Sequence, residues 1–178
     1  METRAAYLTV RTVADVEGYL DLVRLSAERA QAWMRSHDGE PLDLLRQMKF
    51  EQVGFHPIDN RPLNLVEQIN QTWTYAVALA AARQLLELHP DVGGFNVAPG
   101  AHMSLPLDIQ SVAEGLVGAE TFAAVNPRNN GKLAADLAKM ASRPEAHRYV
   151  FFSSPLFPGS ARLPHLERDG IQVWSVEI

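Results

Sequence analysis

A chain of 178 residues that is 47% hydrophobic can bury a substantial core, as one domain or one core with an extension. A formal charge of -5 carries no whole-chain basic signature of a nonspecific nucleic-acid binder, although it leaves local patches open. The absence of cysteine removes disulfides, zinc-thiolate clusters and a thiol nucleophile, while the polar start Met1-Glu2-Thr3-Arg4 does not read as a secretory signal. The longest apolar stretch, Tyr75 to Ala82, is far short of the roughly 20 residues that span a bilayer. The expectation is a soluble, cytoplasmic protein with no membrane partner.

The first elements are helical. Thr12-Val13-Ala14-Asp15 is a capping-box-like start, and Val16, Leu20, Val23, Ala27, Ala30 and Met34 follow as one stripe at helical spacing. Ser36-His37-Asp38-Gly39 ends that helix, and Pro41 opens a second, short one through about Phe50. Gly54 to Pro62 is rich in turn residues and divides an N-terminal helical extension, 1–62, from a core, 63–178.

A long helix is predicted from Leu63 to Leu88, with Leu65, Ile69, Trp73, Ala76 and Ala80 on one side and an end at His89-Pro90. Its second half is apolar all round and reads as buried on more than one side, whereas Glu67, Asn70, Gln71 and Thr74 gather on one face of its first half. Trp33 and Trp73 fall on helical patterns as packing residues. The six histidines show no paired metal-ligand spacing and read as surface or loop residues.

After Pro90 the period changes to two. Gly94 to Ala98, Leu107 to Ala113 and Val117 to Val125 are predicted strands, the last two joined by a turn at Glu114-Gly115. Asn126 to Gly131 leads into a helix with Leu133, Leu137 and Met140 inward and Lys132, Asp136 and Lys139 on a neighbouring face. Arg148 to Ser153 and Ile171 to Ile178 are the remaining strands. Helix, three meandering strands, helix and two strands make an α/β sandwich on a mixed sheet.

Within that pattern Asp108 shares a strand face with Gln110 and Val112, and Glu120 shares one with Phe122 and Ala124. Glu120 sits in the apolar run Gly118 to Val125, where an ionised carboxylate is costly unless it is paired, hydrogen-bonded or metal-bound. Two carboxylates on paired antiparallel strands outline a site for one hard divalent cation. The alternatives are an edge strand with Glu120 in water, or a structural ion pair.

The element order, with Asp108 on the second core strand, Glu120 on the third and Glu67 on the preceding helix, resembles the PD-(D/E)XK nuclease superfamily, whose restriction-endonuclease-like core runs α-β-β-β-α-β. Pro106-Leu107-Asp108 approximates the proline-aspartate part of its signature with one residue inserted, and the likeness covers Leu63 to Ile178. The resemblance implies magnesium held by Asp108 and Glu120 and hydrolysis of phosphodiester bonds in nucleic acid, with DNA favoured. It also implies a role for Glu67 at a second metal or a metal-bound water, with Gln71 on the same polar helix face. The family's lysine two residues after the third-strand acid is replaced here by Phe122. Some members project the basic group from the following helix, the place Lys132 occupies, and Asn129 and Asn130 as helix caps, with Arg128, would meet phosphate. Two readings stay open: a magnesium-dependent nuclease, or a catalytically silent relative that serves as a nucleic-acid or protein binding module. The N-terminal helices offer a homodimer surface.

Overall fold

The computed structural model describes residues 7–100, 105–129 and 131–178. In chain order it contains β1 (Leu8–Val10), α1 (Val13–Arg35), α2 (Pro41–Phe50), β2 (Gly54–Phe55), β3 (Pro62–Leu63), α3 (Leu65–Leu88), β4 (Phe95–Val97), β5 (Ile109–Ser111), β6 (Val117–Ala123), α4 (Lys132–Ala141), β7 (His147–Ser153), β8 (Ala161–Arg162), a 3-10 turn at Pro164–Leu166, and β9 (Gln172–Ser175). The class is α/β with a mixed sheet, as the alternation of periods predicts. Among the described residues no helix is long and apolar enough to cross a membrane.

The chain divides into two compact units, residues up to Val16 with Val77–Ile178, and Glu17–Ala76, so the division falls inside α3. The break expected at residue 62 would assign β1 to the helical part. Instead Leu8–Val10 pairs antiparallel with β4 and belongs to the sheet.

The larger unit carries a seven-stranded sheet in the order β1-β4-β5-β6-β7-β9-β8. Strands β4, β5 and β6 form an antiparallel meander, and β6, α4 and β7 form a parallel crossover, with β9 parallel to β7 beyond it. The turn between β5 and β6 holds Gly115 at φ 75°, a left-handed conformation that glycine adopts without a Cβ penalty. Phe122, on the β6 face that also carries Glu120, joins one apolar cluster with Leu133, Leu137 and Met140 of α4 and with Phe152 and Val150 of β7. The amphipathic stripe of α4 thus lies on the same sheet face as Glu120.

The smaller unit is organised around a polar residue that periodicity misses. Gln68 is almost fully buried, accepting from the Phe55 N–H at 3.0 Å and donating to both the carbonyl and the hydroxyl of Ser26 at 2.8 Å. Ser26, not Ala27, continues the buried stripe of α1, and Met34 is exposed. Ile69 and Trp73 likewise face outward, because the buried side of α3 in this stretch runs through Leu65 and Gln68. His56, expected at the surface, is buried and uses Nδ1 to accept from the backbone N–H groups of Ile58 and Asp59, which closes a turn.

Candidate functional site

The register between β5 and β6 pairs Ile109 with Ala119; continued by one residue, it sets Asp108 opposite Glu120. Both are buried, at 6% and 3% exposure, so the solvated-edge alternative for Glu120 does not hold. Their contact is direct: the Asp108 backbone N–H donates to Glu120 Oε1 at 3.3 Å. Asp108 lies just outside the ladder and turns its carboxylate along it. Oδ2 accepts from the Thr121 backbone N–H at 2.8 Å and from the Thr121 hydroxyl at 3.0 Å, giving that N–H the partner the shortened β5 does not supply.

Gly118 makes room beneath these groups. A Cβ at this position would stand 2.5 Å from Leu107 Cδ1 and 3.0 Å from Glu145 Cγ, so a side chain would displace the residue next to Asp108. Glu145 itself is held apart from the cluster by Arg143, with contacts of 2.6 and 3.1 Å.

The third side of the site comes from α4. Lys132, Asp136 and Lys139 recur at i, i+4 and i+7 and therefore share a flank. Lys139 Nζ donates to Glu120 Oε1 at 2.8 Å, while Lys132 Nζ donates to Asp136 Oδ1 at 2.5 Å. Asp136 is 2% exposed, and among the described residues its Oδ2 has no hydrogen-bond partner. Three buried carboxylates thus meet two ammonium groups whose side chains keep about 40% of their surface exposed, 42% for Lys132 and 38% for Lys139.

Electrostatics follow from that imbalance. Burial raises the Asp108 carboxyl above the ordinary carboxylate range, against the pull of the Thr121 hydrogen bonds and the charges of Lys132 and Lys139. Glu120 is raised by burial and by the charge of Asp108, with Lys139 opposing. Asp136 is raised by burial, with Lys132 opposing. Burial pulls Lys132 down, but its bond to Asp136 and the charges of Asp136, Glu120 and Asp108 outweigh this and hold it above the usual lysine value. Raised carboxylates mark a site where more positive charge would be welcome.

The expected residues divide on this geometry. Asp108 and Glu120 come together, and Lys132 reaches the cluster through Asp136. Lys139, named in the sequence only as a face residue, is the lysine that touches Glu120; its i+7 spacing from Lys132 was the available signal. Thr121 and Asp136 were equally unsignalled as partners, because each depends on which neighbour a strand or helix face meets. Glu67 and Gln71 belong to the smaller unit. Glu67 is exposed in the first turn of α3, where its N–H is capped by Asn64 Oδ1 at 2.8 Å.

Asn129 is not the helix cap: the N-cap is Gly131, at φ 69°, with no side-chain capping bond, and Asn126 Oδ1 organises the preceding turn by accepting from the Arg128 N–H. Asn130 lies outside the described residues. Phe122 is buried and stacks on Phe152 with ring centroids 5.5 Å apart.

Among the described residues no group of three or more histidine, aspartate or glutamate side chains is arranged to hold a metal ion. Two carboxylates are nonetheless a sufficient protein contribution for magnesium, which keeps several of its waters. An all-oxygen pair with raised carboxyls fits a hard dication better than a soft one. No protein-family model, curated protein sequence or solved structure matches this chain.

Proposed function

We propose that the chain is a magnesium-dependent hydrolase of phosphodiester bonds in nucleic acid, with DNA favoured, built on a restriction-endonuclease-like core. The order α3, β4, β5, β6, α4, β7 supports the core. The observation that carries the function is the convergence of Asp108, at the entry to β5, and Glu120 of β6, with a lysine of α4 bound to Glu120 at 2.8 Å.

Asp108 and Glu120 would hold the cation. When bound, it supplies Lewis-acid polarisation of a phosphate and a lowered pKa for an attacking water. The remaining work falls to the chain's own side chains. Thr121 fixes the Asp108 carboxylate through two hydrogen bonds, and Lys139 fixes that of Glu120. Lys132, anchored by Asp136 but partly open to solvent, presents positive charge to the phosphate as negative charge develops there. Lys132 and Lys139 together take the place of the lysine that Phe122 displaces.

Phe122 also favours a second reading, a catalytically silent binding or assembly module in which the same ion pairs are structural. Calorimetric titration of Mg²⁺ or Mn²⁺ into the protein separates the two. Millimolar or tighter binding that disappears in Asp108→Ala, with cleavage of labelled DNA or RNA oligonucleotides reduced about 100-fold or more by Glu120→Gln, is the result expected of the hydrolase. Absence of metal binding at millimolar concentration leaves only the module. Homodimerisation through the N-terminal helices is part of the same proposal, and α2 exposes Leu42, Leu45 and Phe50.

A further inference from the structure

The flank of α4 next to the one that meets the carboxylates borders a separate cavity of about 320 Å³. Its floor is apolar, formed by Leu133, Leu137 and Leu166, and its rim carries Arg128, His165 and Arg168. Among the described residues no carboxylate lines it, and neither Arg128 nor Arg168 has an ion-pair partner. In a chain with a net charge of -5, two guanidinium groups over one apolar hollow form a local exception. The His165 ring packs against Phe157 at 6.3 Å and 27°, which holds an aromatic face at the rim.

Size and lining restrict the occupant. The volume lies at the low end of small-molecule pockets, suited to one compact ligand. Inorganic phosphate would satisfy the arginines but leave the leucine floor uncovered, and a purely apolar ligand would leave the guanidinium groups unused. A flat ring laid face-on over the leucines, carried on the same molecule as a phosphate, uses both. We infer that this cavity binds a nucleoside monophosphate unit, its base over Leu133, Leu137 and Leu166 and its phosphate on Arg128 and Arg168.

The pocket is distinct from the carboxylate cluster. The cavity's described lining shares no residue with the cluster: Leu133 and Leu137 line it, while Lys132, Asp136 and Lys139 occupy the neighbouring flank of α4. Binding here therefore needs no metal. The inference stands apart from the hydrolase reading, and either can fail alone.

The test is calorimetry of the full chain in chelator with AMP, adenosine, inorganic phosphate and a short single-stranded oligonucleotide. AMP is expected to bind at least about tenfold more tightly than adenosine or phosphate, and Arg128→Ala/Arg168→Ala to weaken AMP about tenfold or more with an unchanged thermal midpoint. Both arginines are exposed, so that variant should fold. An oligonucleotide that binds more tightly than AMP, with the same sensitivity to the arginines, identifies a polynucleotide as the source; tighter AMP identifies a free nucleotide. No AMP binding at millimolar concentration overturns the inference, as does phosphate binding equal to AMP or a double variant that binds like the parent.

Discussion

Glu120 concentrates the physical argument into one side chain. Its folded-state pKa is raised by burial and by Asp108, so the folded protein holds this proton more tightly than the unfolded chain does. The destabilising effect of the ionised group is complete above the raised value and vanishes as pH falls through it into the ordinary carboxylate range. Glu120→Gln, which does not titrate, should raise the thermal midpoint of the metal-free protein by a few degrees near about pH 8, and the gain should disappear near about pH 4. Melts across that interval check both the sign and the window. Lys139→Met acts in the other direction, leaving Glu120 buried without its ammonium partner. Because Lys139 is 38% exposed, the expected cost is reduced to about 1–3 kcal/mol in urea unfolding, mostly recovered in the Glu120→Gln/Lys139→Met double variant.

At the scale of elements, α4 and α3 show how far hydrophobic periodicity reaches. The inward stripe predicted for α4, Leu133, Leu137 and Met140, is the stripe that packs under the sheet. Leu137→Ala should therefore cost about 2–4 kcal/mol by chemical denaturation. The same kind of reading gave Trp73 of α3 a packing role, yet its side chain is 50% exposed, and Trp73→Ala should cost less than about 1 kcal/mol. The difference is physical. On α4 the apolar and charged positions separate cleanly, whereas around the first half of α3 polar and apolar positions are mixed, so its pattern cannot say which side is covered. Gln68 occupies the covered side because its amide satisfies a strand N–H and a helix carbonyl together, a benefit visible only when both partners are in place.

For the whole molecule, a ligand that binds only the folded state must raise its stability. Magnesium at about 100 times its dissociation constant is expected to add about 2.7 kcal/mol, an increment that Asp108→Ala abolishes in a thermal-shift measurement. A sedimentation measurement of solution mass checks the dimer: twice the mass of the chain supports it, and a monomer at high concentration removes it.

The alternation of helical and two-residue periods was enough to determine the α/β class, the meander of β4, β5 and β6, a helix between that meander and β7, and the closeness of two acids to neighbouring strands. Those features depend on local spacing, which a single chain displays. Tertiary structure alone decided that Asp108 and Glu120 meet through a one-residue extension of the β5–β6 register, that Lys139 rather than Lys132 reaches Glu120, and that Asp136 joins them with an unsatisfied oxygen. It also decided that β1 enters the sheet and that the two arginines overlie one apolar hollow. Each of these depends on which face of one element lands on another, and that is set by the packing energy of the whole core, not by the spacing of residues within any one segment.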